Sequence, residues 1–172
     1  MKGSRYAEYE EGVAKGIVLH REIDRYTDTH PVVSQSKDRL RGKYRHYSGV
    51  IIDMFYDHFL AVNFKDYHHL TLEEFAADHY ARLEAFLPQM PEKAQHMFPY
   101  MMRGNWLVGY GKVEGIHRAL TGMSRRTRFD SRMDEAVQEL VKYYDDFENE
   151  FKRFFVEMEE HISVFRQDLI NS

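Results

Sequence analysis

An all-α, single-domain helical bundle is the fold this sequence predicts, and three observations predict it. Between the four prolines, Pro31, Pro88, Pro91 and Pro99, apolar residues recur with a period of roughly 3.6 rather than the 2 of a strand. At 172 residues, with 43% hydrophobic content that includes 12 Phe and 12 Tyr, the chain is sized for one substantial core. No internal repeat, low-complexity tract or linker divides it, so residues 1–172 are expected to form one domain.

The elements follow in order. The first helix is expected from about Glu8 to Tyr26, with Val13, Ile17 and Ile23 on its apolar stripe, and "TDTHP" ends it because the residue before a proline disfavours helix. A second runs from Val32 through Tyr44. A third, about Tyr47 to Asn63, is apolar on nearly every side. "TLEEF" is a capping box that starts a fourth helix, with Thr71 as cap and Glu74 at the third helical position, and this helix stops near Pro88. Pro91 suits the first turn of a short helix to about Met102, which "RGN" breaks before "WLVGYG". Another helix spans Val113 to Ser124. From Ser131 onward Val137, Leu140, Val141, Tyr144, Phe147, Phe151, Phe154, Phe155 and Met158 predict one long helix or two abutting ones.

Composition narrows the function. With 30% charged residues and no long uncharged run, neither a transmembrane helix nor disorder is expected, and "MKGSRYAEYEE" lacks the apolar core of a signal peptide. The expectation is a soluble, cytoplasmic protein with no membrane partner. Cysteine is absent, so any metal must be held by His, Asp, Glu or Asn. The net charge of -4 argues against general nucleic-acid binding.

Two constellations carry chemistry. "HREIDRYTD" places His20, Asp24 and Asp28 at successive i, i+4 steps, which drift by about 40° each on a helix and so share one face. A solvated polar face is the competing reading. In "IIDMFYDHFL", Asp53 and Asp57 share a face of the greasy third helix, where a carboxylate needs a cation, a histidine or a metal. Structural ion pairs with Arg39 or Arg45 are the alternative. His58 points about 100° away from Asp57, which suits an orienting role. If the two helices face each other, a nitrogen-and-oxygen site for Mn, Fe, Zn or Mg forms between them, and phosphate-ester hydrolysis becomes the leading chemistry.

Softer candidates are Trp106 and Tyr110 in "NWLVGY", with a core role as the plain alternative, and two basic runs. "KDRLRGKYRH" supplies Lys37, Arg39, Arg41, Lys43 and Arg45, and "LTGMSRRTR" supplies Arg125, Arg126 and Arg128. In an acidic chain such patches suit an acidic partner or a phosphate. His68 and His69 are expected in a solvated loop. No glycine-rich phosphate loop and no GxSxG elbow is present.

"GIVLHREIDRYTDTHP", "DMFYDHFL", "NWLVGY" and "LTGMSRR", in this order and spacing, resemble the bacterial acyl carrier protein phosphodiesterases over nearly the whole chain. The resemblance implies an all-helical fold distantly like the HD metal phosphohydrolases and a divalent ion, typically manganese, with Mg²⁺ or Fe²⁺ as alternatives. It implies hydrolysis of the phosphodiester that joins 4′-phosphopantetheine to the serine of acyl carrier protein, the carrier of fatty acid biosynthesis. On this basis Asp53, Asp57, His20 and Asp24 are expected to form the inner metal site, with His58 and Asp28 at its edge and His20, Asp24, Asp57 and His58 in catalysis. Arg39, Arg41, Arg45, Arg125 and Arg126 are expected to dock the carrier, and Trp106 and Tyr110 to line a channel for its arm. Family members usually carry a further helical stretch, with "N-x-L-A-H" and "G-N-x-x-A-D" segments, ahead of the "KG" seen here as Lys2 and Gly3, and its aspartate belongs to their expected site. The expectation is therefore an incomplete site with weakened or absent metal binding. The competing functions are a non-catalytic helical module for an acidic partner and a metal phosphohydrolase with another phosphodiester substrate.

Overall fold

The structure is a computed structural model that describes residues 11–171, and the helix start expected near Glu8 lies outside the described residues. Helix α1 (Glu11–Thr29) runs one turn past the expected end and stops at His30, whose extended backbone is what the following proline requires. Pro31 opens α2 (Pro31–Tyr44), and Arg45, in the left-handed region at φ 51°, turns the chain into α3 (Ser48–Val62). A one-turn helix not foreseen in the sequence, α4 (Phe64–Tyr67), follows. Helix α5 (Leu72–Phe86) starts at the expected capping box: the Glu74 amide donates to Thr71 Oγ1 at 3.2 Å, and the Thr71 amide to the Glu74 carboxylate at 2.9 Å. Pro91 caps α6 (Glu92–Arg103) from just outside it rather than from its first turn. Asn105, at φ 41°, leads into the short α7 (Trp106–Gly109), and α8 (Val113–Ser124) has the expected bounds. The C-terminal pattern resolves into two abutting helices, α9 (Val137–Lys142) and α10 (Tyr144–Asn171), broken at Tyr143.

The apolar girth of α3 explains its central position. Ile51, Ile52, Phe55 and Phe59 are fully buried among Leu40 and Tyr44 of α2, Ile116 and Leu120 of α8, and Phe147 and Phe151 of α10. Phe55 meets Phe147 edge-on at 5.3 Å between ring centroids. A satellite cluster of Ala76, Tyr80 and Phe98 joins α5 to α6 and α7, with the Tyr80 hydroxyl accepting from the Leu107 amide at 3.0 Å. Helix α1 has no fully buried residue, and Val13 of its predicted stripe is exposed. It lies instead along α10, held by Tyr26 stacked on His161 at 4.3 Å and by His161 donating to Glu22 at 2.6 Å.

The central polar feature of the core is a chain of groups between α2, α3 and α10. Arg39 donates to both oxygens of Glu150 at 2.6 Å, and Glu150 is 3% exposed. Ser36 donates to Glu150 Oε2 at 2.6 Å, which leaves the Tyr56 hydroxyl to donate to Ser36 Oγ at 2.9 Å. Arg39, expected to face a partner, thus braces the interior. It does not pair with Asp53 or Asp57.

Candidate active site

Asp53 and Asp57 sit one turn apart on the stripe of α3 that the core leaves uncovered, because every other face of that helix is apolar and takes the interior. Asp24 and Asp28 sit one turn apart on α1. Both pairs line a single groove of about 500 Å³, with Ile23 and Thr27 on the α1 side and Tyr56 and Leu60 on the α3 side. Phe151, Phe154, Phe155 and Met158 of α10 form its floor.

Four carboxylates over an aromatic floor carry an electrostatic cost. Solvent reaches Asp57 through the mouth of the groove, yet the protein around it pushes its carboxyl up to about 6, by burial first and by the charge of Asp53 second. Asp53 is also raised, by burial first, with Asp28 and Asp24 adding to the effect and Lys37 opposing it. Lys37, from α2, reaches this cluster and pairs with Asp28 at 3.0 Å. The donor chemistry, hard oxygens short of positive charge, fits a divalent cation. Among the described residues no group of three or more His, Asp or Glu side chains is placed to hold one ion as the side chains stand, so the fit is one of chemistry, two carboxylates from each wall.

The predicted site residues fall into two sets. Asp24, Asp28, Asp53 and Asp57 come together. His20 and His58 do not join them. His20 stands exposed one turn from Asp24, 3.6 Å from its carboxylate, and is not among the groove-lining residues. His58 is turned into the protein, 2% exposed, with both ring nitrogens engaged: Nδ1 donates to the Tyr110 carbonyl at 2.8 Å, and Nε2 accepts from the Tyr144 hydroxyl at 3.0 Å. Burial lowers its pKa. The structure thus places His58 inside the protein rather than at the edge of the groove where it was expected, and the reason is the 100° step between neighbours on a helix, which sends Asp57 and His58 to different surroundings. His58→Leu is expected to lower the melting temperature by several degrees, since it orphans a buried carbonyl and a hydroxyl, while turnover per folded molecule stays within about threefold. Melting curves and activity on the same preparation check both halves.

Arg41 pairs with Asp38 at 2.8 Å on the surface, and Arg45 and Arg125 are exposed. Trp106, Tyr110 and Arg126 line a second, smaller cavity of about 260 Å³ beside α8, which Arg125 does not line. The Tyr110 phenol is pushed up to about 12 by burial and by the charge of Asp57. His68 is half-buried and stacked on the exposed His69 at 4.4 Å, with its Nδ1 accepting from the Leu70 amide. Lys37 was visible in the sequence only as one member of a basic run. The α10 floor was visible as apolar spacing that does not distinguish groove from core. Glu150 left a clearer signal, since it falls at i+3 from Phe147 and i−4 from Phe154, on the stripe that packs inward.

No helix among the described residues is long and apolar enough to cross a membrane. No solved structure matches the chain. Sequence comparison is informative. A protein of Photorhabdus laumondii is 32% identical over 161 residues, covering 93% of this chain and 81% of the relative. One of Enterobacter sp. is 31% identical over 160 residues, covering 92% and 82%, and one of Escherichia coli is 30% identical over 165 residues, covering 95% and 85%. Each is named acyl carrier protein phosphodiesterase. Residues 1–158 match that family as a whole, a span that contains both acidic walls of the groove, and the chain therefore belongs to the acyl carrier protein phosphodiesterase family.

Proposed function

We propose that this protein is a divalent-metal-dependent phosphodiesterase that cleaves 4′-phosphopantetheine from holo acyl carrier protein, so that it acts on the carrier of fatty acid biosynthesis. The observation that carries the reading is the groove itself: four aspartates from two helices face one space, with Lys37 the cation that reaches them. Asp53 and Asp57 from α3, with Asp24 and Asp28 from α1, would hold the ion. With His20 outside and His58 engaged elsewhere, the donors in the groove are all carboxylate, which favours Mn²⁺ or Mg²⁺ over ions that prefer imidazole. When bound, such an ion lowers the pKa of its water and neutralises charge building on phosphoryl oxygens.

The remaining work belongs to the chain. Lys37 on the α2 side of the cluster supplies positive charge that would attract an anionic phosphodiester, and it pairs with Asp28. Phe151, Phe154 and Phe155 exclude bulk water from the floor, which strengthens every charge interaction above them. Hydrolysis adds water across the bond between phosphorus and the serine oxygen; the serine oxygen takes a proton and the phosphate leaves with the pantetheine arm. Exposed Arg41, Arg45, Arg125 and Arg126 supply positive charge for an acidic carrier.

The test is to incubate holo carrier protein with this protein and Mn²⁺, Mg²⁺ or a chelator, and to follow the carrier by mass spectrometry. The expected result is metal-dependent loss of the phosphopantetheine mass. Retention of that mass under all conditions, with carrier still captured by the protein, would favour the non-catalytic module, and turnover of only other phosphodiesters would favour the third reading.

A further inference from the structure

The cavity beside α8 has a construction the carboxylate groove does not explain. Its walls are Trp106 and Tyr110 on one side and Met123 on the other, and Arg118 and Arg126 line it where α8 meets solvent. Neither guanidinium has a hydrogen-bond or ion-pair partner among the described residues. The floor is glycine for two different reasons. At Gly115 a Cβ would land in the carbonyl of Gly109, so α7 and α8 can approach only through glycine there. At Gly122, by contrast, a Cβ would meet nothing within 4 Å. Glycine weakens a helix relative to alanine, and no steric demand excludes a larger residue at this position. What Gly122 preserves is empty space inside α8's face of the cavity.

We infer that this cavity is the subsite for the pantetheine arm of the substrate. The inference rests on the phosphopantetheine reading above. A pantetheine arm is a slender neutral chain with two secondary amides, a hydroxyl and a terminal thiol, separated by apolar stretches, and its amide carbonyls accept hydrogen bonds. The cavity offers the complement: apolar and aromatic walls, with two arginines that donate hydrogen bonds and accept none. The acidic groove is poor in donors and suits the phosphate and its metal instead. Tyr110 lines the cavity, and its carbonyl is held at 2.8 Å by His58, the chain neighbour of the groove-lining Asp57. With its phosphate at the aspartates, an arm in this cavity would have its thiol end toward α8.

Trp106 is the chain's single tryptophan, so its emission reports on this cavity alone. The metal-free protein is titrated with pantetheine, which carries no phosphate, and separately with inorganic phosphate. A saturable change in Trp106 emission with pantetheine and none with phosphate is expected. Gly122→Leu should abolish the response and raise KM for holo carrier protein about tenfold or more, with the melting temperature unchanged or higher. Arg118→Gln with Arg126→Gln should weaken pantetheine binding about tenfold. A response to phosphate but not to pantetheine, or unaltered pantetheine binding and KM in Gly122→Leu, overturns the inference even if the native protein turns over carrier. A normal pantetheine response in a protein that never releases phosphopantetheine upholds the subsite and counts against the catalytic reading.

Discussion

Asp57→Asn is expected to cut release of phosphopantetheine by about 100-fold or more and, in the same protein, to raise the melting temperature of the metal-free chain. The two effects have one origin. The carboxylate of Asp57 is raised to about 6 by burial and by Asp53, so at neutral pH it is ionised in the fold at a cost, and the amide keeps the shape while removing the charge. Solvent at the groove mouth screens that cost to about 1 kcal/mol or less, which corresponds to about 2–4 °C in a chain of this size. The sign of the pH dependence follows. Because the folded-state pKa lies above the ordinary 3.8, the penalty is fully present above pH 6 and fades as pH falls from there toward 3.8. The advantage of Asn should fade over the same window. Activity is lost because a neutral amide is a weaker donor to a divalent ion, and about 100-fold is two factors of 1.4 kcal/mol. Paired melting curves with and without Mn²⁺, and single-turnover mass spectrometry, decide the matter. A variant that is less stable without metal, or fully active with it, would show that Asp57 is an ordinary fold residue.

The largest effect on stability is expected at Glu150. Glu150→Leu removes the acceptor for Arg39 and for Ser36 and leaves a guanidinium and the Ser36 hydroxyl without their partner in the core. Breaking a buried pair from one side costs about 3–5 kcal/mol, on the order of 10 °C here. The double variant Arg39→Met with Glu150→Leu should recover most of this, since an apolar replacement of both charges removes the unpaired group. Denaturation of the two singles and the double measures the coupling, and additive losses would show that the pair is not the unit holding α2 to α10. Function is drawn in through Tyr56, which donates into this network and also lines the groove. Even where the single variant folds, the wall beneath Asp53 should loosen, and activity should fall before the protein unfolds.

Most of the fold was legible in the sequence because its signals are local. The capping box at Thr71 and Glu74, the stop before Pro31 and the bounds of α8 each depend on residues within a turn or two. The one-turn helices α4 and α7 were missed because so short a helix has no period to read. The site was legible in part. Asp24 with Asp28, and Asp53 with Asp57, are each set on one face by the i, i+4 spacing, and the structure places all four on one groove. His20 and His58 share the same motifs, yet their environments come from other helices: α1 leaves His20 in solvent, while Tyr110 and Tyr144 take both nitrogens of His58. The basic run around Arg39 shows the same limit, since Lys37 pairs with Asp28, Arg39 with Glu150, Arg41 with Asp38 and Lys43 with Glu135 and Glu139.

The sequence by itself determined the helical class, the order and caps of the longer helices, and the pairing of aspartates along each of two helix faces, because periodicity and capping act over a few residues. Only the tertiary structure decided which charges meet. The groove exists because α10 lays Phe151, Phe154 and Phe155 between the two acidic walls. Glu150, a few residues earlier on the same helix, draws Arg39 into the interior. The physical reason is that a charge's role depends on its dielectric surroundings and its nearest opposite charge, and here both are supplied by helices distant in the chain.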